Sequence, residues 1–185
     1  VRLTKYLDGI KYLKNLISKY PNSPYIGNAK KMIDDAQRPV LAMNTPKPYL
    51  TGEKGNITVS TRNIKNIRFT MYKIDMLDLV KRIGTRSSMH SYYYFRDLNL
   101  SGYPVIKKWK FTTKDDSDHV PVSANMEIDV TSTGGYLIEA VSGNLRGVIL
   151  YLVSDIAMMT KTGSNRILAY VVNGKTSIPV KDAQV

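Results

Sequence analysis

Apolar residues recur at steps of three and four through the start of the chain: Leu3, Tyr6, Leu7, Ile10, Leu13, Ile17 and Tyr20. That spacing puts one stripe on a helix, with Lys5, Lys11, Lys14 and Lys19 mostly off it. Pro21-Asn22-Ser23-Pro24 must end the helix, because proline lacks an amide donor and restricts the residue before it. Ser23 is then the expected cap of a second helix with Pro24 at its first position. Ala29, Met32, Ile33 and Ala36 carry that helix to about Gln37, which predicts an antiparallel hairpin.

From Arg38 the period drops to two. Ile57 and Val59 alternate with Thr58 and Ser60, and Ile67, Phe69 and Met71 with Arg68, Thr70 and Tyr72. Val122, Ala124, Met126, Ile128 and Val130 alternate with polar neighbours, the pattern of a strand with one wet face. With Val40–Met43, Val105–Phe111, Tyr136–Val141 and Leu145–Val153, seven strands are expected between Val40 and Val153. Short strands separated by turns predict an antiparallel sandwich or barrel. Met76, Leu79, Val80 and Ile83 have helical spacing, with Gly84 as a stop signal. Three further strands, Ile156–Met159, Ile167–Val172 and Ile178–Val185, are too few for a second sandwich.

The resulting expectation is mainly β, in three parts. A helical hairpin (1–38) precedes a seven-stranded antiparallel β-sandwich (39–154), and the truncated start of a second sandwich (155–185) follows it. A chain that begins at Val1 and stops mid-pattern is expected to be a piece of a longer protein. No apolar run approaches the ~18 residues of a membrane-spanning helix, and no signal-peptide pattern is visible.

The chemistry is bounded mostly by exclusion. The 185 residues contain no cysteine and two histidines, so thiol nucleophiles, thiolate zinc sites and internal thioesters are ruled out for this chain. Neither a metal site nor a cofactor is expected. Gly174-Lys175-Thr176 resembles the end of a phosphate-binding loop. However, Tyr170, Val171 and Val172 before it are strand formers, and Ser177-Ile178-Pro179 after it opens no helix. Lys114–His119, with Asp115, Asp116 and Asp118, reads as a solvated polar turn and His90 as a loop residue; no nucleophile–base pair is suggested, so no enzyme is expected. The net charge of +12 is spread out, with no run of five basic residues, which speaks against nucleic acid as the partner. Trp109, in phase with Val105 and Phe111, is expected in the core although Lys107 shares its face. One feature stands out in the long polar loop from Thr85 to Gly102. Tyr92, Tyr93, Tyr94 and Phe95, next to Arg96, form the candidate interaction surface; the alternative is that they cover an end of the sandwich.

Several passages resemble the bacterial alpha-2-macroglobulin family. "GNITVSTRNIKNIRFTMYKIDMLDLVKRI" is similar to the strand–strand–helix run of its N-terminal macroglobulin domains, and "VIKKWKFTT" to the tryptophan strand that follows. The passage from Gly134 to Val185 resembles the junction of one macroglobulin domain with the next. Pro179, Val180, Ala183 and Val185 match the signature of that junction, with its glycine displaced to Gly174. The resemblance covers residues 39–185 and implies a macroglobulin-like sandwich in a secreted, periplasmic or outer-membrane-associated protein. It further implies a non-catalytic segment whose partners are neighbouring macroglobulin domains and, through the parent protein, trapped proteases. No thioester carries over, since no cysteine is present. "PVKDAQV" also resembles carboxypeptidase-regulatory-like sandwiches on outer-membrane receptors. The alternative function is therefore an extracytoplasmic carbohydrate- or protein-binding module.

Overall fold

The computed structural model describes residues 5–83, 95, 97–130 and 132–183. Two helices, α1 (Lys5–Lys19) and α2 (Ile26–Gln37), open the chain as a hairpin. Helix α2 begins later than its sequence suggests. Tyr25, not Ser23, precedes it without a side-chain cap, and Ser23 turns the chain instead by accepting the Ile26 amide at its carbonyl (3.2 Å). The hairpin buries little: Ile10, Ala29 and Ile33 are covered, while Tyr12 remains 74 % and Tyr25 66 % exposed.

All seven expected strands form. Sheet A has the order β1-β2-β5, from β1 (Val40–Asn44), β2 (Gly55–Arg62) and β5 (Val122–Ile128). Sheet B has the order β4-β3-β6-β7, from β3 (Asn66–Ile74), β4 (Val105–Thr112), β6 (Gly134–Ser142) and β7 (Leu145–Val153). Every pairing within the two sheets is antiparallel. The period-two residues face inward as the pattern requires: Leu41, Met43, Ile57 and Val59 from sheet A meet Ile67, Phe69, Met71, Ile138 and Ile149 from sheet B.

Along β6 and β7, sheet B is buried on both faces. Its outer face carries Ile74, Leu137 and Val148, covered by Leu79 of α3 (Met76–Ile83) and by Phe95, Leu100 and Tyr103. This explains why β6 and β7 read as continuous apolar runs while β2 and β5 alternate. Asp75 caps α3, its Oδ1 accepting the Leu77 (2.7 Å) and Asp78 (3.1 Å) amides. Arg146 ties the cover down: its Nε donates to Glu139 at 2.6 Å and its Nη2 to the Leu98 carbonyl at 3.0 Å.

The chain continues into a separate hairpin of β8 (Ile156–Thr162) and β9 (Ile167–Asn173). The third strand expected there does not form within residues 178–183. One bridge joins Val172 to Pro179, and Val180 donates to Val171 at 2.9 Å. Pro179 has no amide to give, and Ser177 and Asp182 take positive φ values of 59° and 54°, which break extended backbone on either side.

Candidate interaction surfaces

Of the five residues singled out in the long loop, Tyr92, Tyr93, Tyr94 and Arg96 lie outside the described residues. Phe95 is 2 % exposed and packs beneath sheet B with Leu79 and Leu100, so its ring is committed to the core and not to a partner. It covers a sheet face, not an end of the sandwich. Phe95 also forms one wall of an apolar groove of about 280 Å³. Met43, Pro46, Pro48, Val148 and Leu150 complete that groove, where β1 leaves sheet A beside β7.

The segment after β1 closes the end of β7. Tyr49 bridges Val153 in parallel, its amide donating to the Leu152 carbonyl at 2.9 Å and its carbonyl accepting the Ser154 amide at 2.8 Å. The Tyr49 ring stacks on Tyr151 with centroids 5.2 Å apart. Burial, reinforced by nearby Tyr49 and Glu53, pushes the Tyr151 phenol up to about 12.

The two joints of the chain are both polar clusters. At the first, Arg62 Nη2 donates to the Asp35 carbonyl at 2.6 Å, and Asn63 Nδ2 donates to the carbonyls of Ala36 (2.8 Å) and Arg38 (3.2 Å). These are carbonyls the end of α2 leaves without helical partners. His119 Nδ1 lies 2.6 Å from Asn63 Oδ1; with the Asn63 amide nitrogen committed, the imidazole is the donor. The turn that contains His119 is therefore not a free solvated loop. Asp115 is 4 % exposed, accepting the amides of Ile64 (3.3 Å) and Ser117 (2.9 Å).

At the second joint, Asp155 accepts the Thr51 amide at 2.8 Å and the Thr51 hydroxyl. Lys175 bonds the same hydroxyl and pairs with Asp155 at 3.2 Å. The Thr51 hydroxyl and amide, with help from Lys175, hold the Asp155 carboxyl below its ordinary range. The phosphate-loop look-alike thus resolves into a turn: Asn173 Oδ1 accepts the amides of Lys175 (2.9 Å) and Thr176 (3.1 Å), leaving them no phosphate to cradle.

Two further exposed surfaces stand out among the described residues. The β8–β9 hairpin is apolar on both sides, with Met159 at 72 % and Ile167 at 73 % exposure. Strand β4 is the end strand of sheet B, and its lysines are exposed on both faces. Trp109 of that strand is half-buried, stacked on Phe69 at 5.0 Å with 8° between the planes, while Val105 is exposed. An end strand lacks a neighbour to cover it, which is why the expected tryptophan core is only partly realised. Among the described residues no three His, Cys, Asp or Glu side chains gather in a way that would hold a metal ion. No helix among them is long and apolar enough to cross a membrane.

No protein-family model matches the chain, and no curated protein matches it in sequence. Solved structures do match. Native alpha-2-macroglobulin from Escherichia coli spanning domains MG0-NIE-MG1 superposes with a TM-score of 0.53 at 13 % identity. That match covers 74 % of this chain and 46 % of the other, so the chain spans under half the length of that fragment. The Escherichia coli fragment spanning domains NIE-MG1 gives 0.50 at 10 % identity, covering 76 % of this chain and 73 % of that one. At such identities the likeness is one of architecture: the chain has a mainly β, antiparallel, macroglobulin-like fold.

Proposed function

We propose that this chain is a non-catalytic scaffold and interaction segment of a secreted or periplasmic macroglobulin-like protein whose whole assembly traps proteases. The observation that carries the reading is the three-plus-four-stranded sandwich, which shares its fold with the Escherichia coli alpha-2-macroglobulin fragments. The β8–β9 hairpin adds support. A two-stranded ribbon with apolar residues on both faces does not stand alone in water, and its composition suits the opening of a further sandwich. On this reading 1–38 is a helical lead-in, 39–154 a macroglobulin-like domain, and 155–185 the first strands of the next.

The reading is tested on the parent protein. The gene is expected to encode an export signal upstream and more sandwich repeats downstream. Incubated with an endopeptidase, the whole protein should block cleavage of a large protein substrate while a small peptide substrate is still cut. A gene lacking both features, or a protease left fully active on large substrates, would defeat it.

A further inference from the structure

The net positive charge gathers on β4 in a way its sequence spacing conceals. Residues 105–114 contain Lys107, Lys108, Lys110 and Lys114 and no acidic residue. Antiparallel pairing then sets Lys110 directly opposite Arg68 of β3. Like charges facing each other across a ladder cost stability, yet among the described residues no carboxylate pairs with Arg68, Lys107, Lys108 or Lys110.

Among the described residues, no strand pairs with the outer edge of β4. The Thr113 amide donates to the Lys65 carbonyl at 2.9 Å, which fixes the phase of the β3–β4 ladder. Alternation from there turns the backbone groups of Phe111, Trp109 and Lys107 toward β3, and those of Thr112, Lys110 and Lys108 outward. Side chains alternate too. Lys107 lies on the face of Trp109, and Lys108 and Lys110 lie on the opposite face with Arg68. Ammonium groups therefore bracket the open edge from both sides.

We infer that the β4 edge is an acceptor for an acidic, extended segment of a partner protein, which adds as a fifth strand to sheet B. Outward amides and carbonyls at Lys108, Lys110 and Thr112 supply the main-chain bonds, and carboxylates on adjacent residues, which point to opposite faces, reach lysines on both. A flat polyanion would engage one face only. A second copy of β4 is turned away by its own lysines, the usual protection of an exposed edge. The inference stands on this strand alone and does not depend on the trapping role.

The test uses the full chain and a fluorescein-labelled ten-residue peptide of adjacent glutamate pairs separated by valine and threonine, which presents carboxylates on both faces of a strand, read by anisotropy. Binding is expected at low salt, weakening as salt rises. The K108E/K110E double variant, checked for native circular dichroism, should bind about tenfold more weakly, as the reversal of two exposed pairs predicts. The same peptide with alternate amides N-methylated should also bind about tenfold more weakly, from the loss of main-chain bonds. Three results would overturn the inference. They are no binding at low salt, equal binding of the N-methylated peptide, and an oligothymidylate of equal charge binding as tightly as the peptide. The last two would make β4 a charged surface rather than a strand acceptor.

Discussion

The phenol of Tyr151 occupies the space that a side chain at position 55 would need. A Cβ on Gly55 would overlap the Tyr151 hydroxyl and lie 2.8 Å from its Cζ and 3.1 Å from a ring carbon of Tyr49. Glycine at the first position of β2 is thus what lets the Tyr49–Tyr151 stack close the sandwich end, with Tyr49 Oη donating to the Asn56 carbonyl at 2.8 Å. Gly55→Ala should destabilise the fold by about 2 kcal/mol, the usual scale of overpacking at a buried contact. Tyr151→Phe removes the oxygen that meets the new methyl, so the double variant should lose clearly less than the sum of the two singles. Urea unfolding of the four proteins measures the difference; strict additivity would show that the two positions do not compete for space.

The same tyrosine predicts an alkaline limit. Burial raises the Tyr151 phenol to about 12 in the folded chain, above the value of 10 it has when exposed. The folded state therefore holds this proton more tightly than the unfolded state. The associated stability is complete below pH 10 and is lost as pH rises from 10 to 12. Among the 13 tyrosines, Tyr151 should be among the last to ionise in an absorbance titration. Tyr151→Phe should flatten the fall in stability across that window.

Much of this architecture is visible in the spacing of apolar residues. Ile57/Val59 and Ile67/Phe69/Met71 face the core just as period two demands, because a half-buried strand leaves a two-fold signature in any sequence that forms it. What spacing could not convey are pairings between distant residues. Lys108 and Lys110 read as ordinary surface charges until the ladder sets Arg68 against Lys110. Asp115 looked like one of three turn carboxylates until the Ile64 amide, 51 positions earlier, claimed it. Phe95 sits in a polar stretch with no period at all, so its place under sheet B could not be read from neighbours in sequence.

Asn63 predicts how firmly the helical hairpin is seated. Its amide serves the carbonyls of Ala36 and Arg38, and its φ of 58° is one that asparagine tolerates far better than most residues. Asn63→Gly keeps the backbone but deletes these two bonds and the one from His119, at an expected cost of about 2–3 kcal/mol. Asn63→Ala adds the strain of a left-handed alanine, roughly 1 kcal/mol more. The loss should fall on the attachment of the hairpin, so hydrogen exchange should quicken at Asp34–Arg38 before it quickens in sheet B.

The joint to the β8–β9 hairpin predicts an acid response. Asp155 titrates below its exposed value because the Thr51 hydroxyl and amide, and then Lys175, favour the carboxylate. A group with a depressed folded pKa stabilises above its unfolded pKa, close to 4, and that contribution is lost as pH falls through the lower folded value. Acid should therefore loosen the attachment of the hairpin, which this carboxylate makes through Thr51 and Lys175. Asp155→Ala should reproduce the acid state at neutral pH. Limited proteolysis near Ser154–Ile156 should accelerate several-fold while the urea midpoint of the sandwich is unchanged, as expected for a local opening. Asp155→Asn keeps an acceptor for Thr51 but no charge for Lys175, and should fall between the two. If cleavage at the joint is unchanged in Asp155→Ala, the Thr51–Asp155–Lys175 cluster does not hold the hairpin in place.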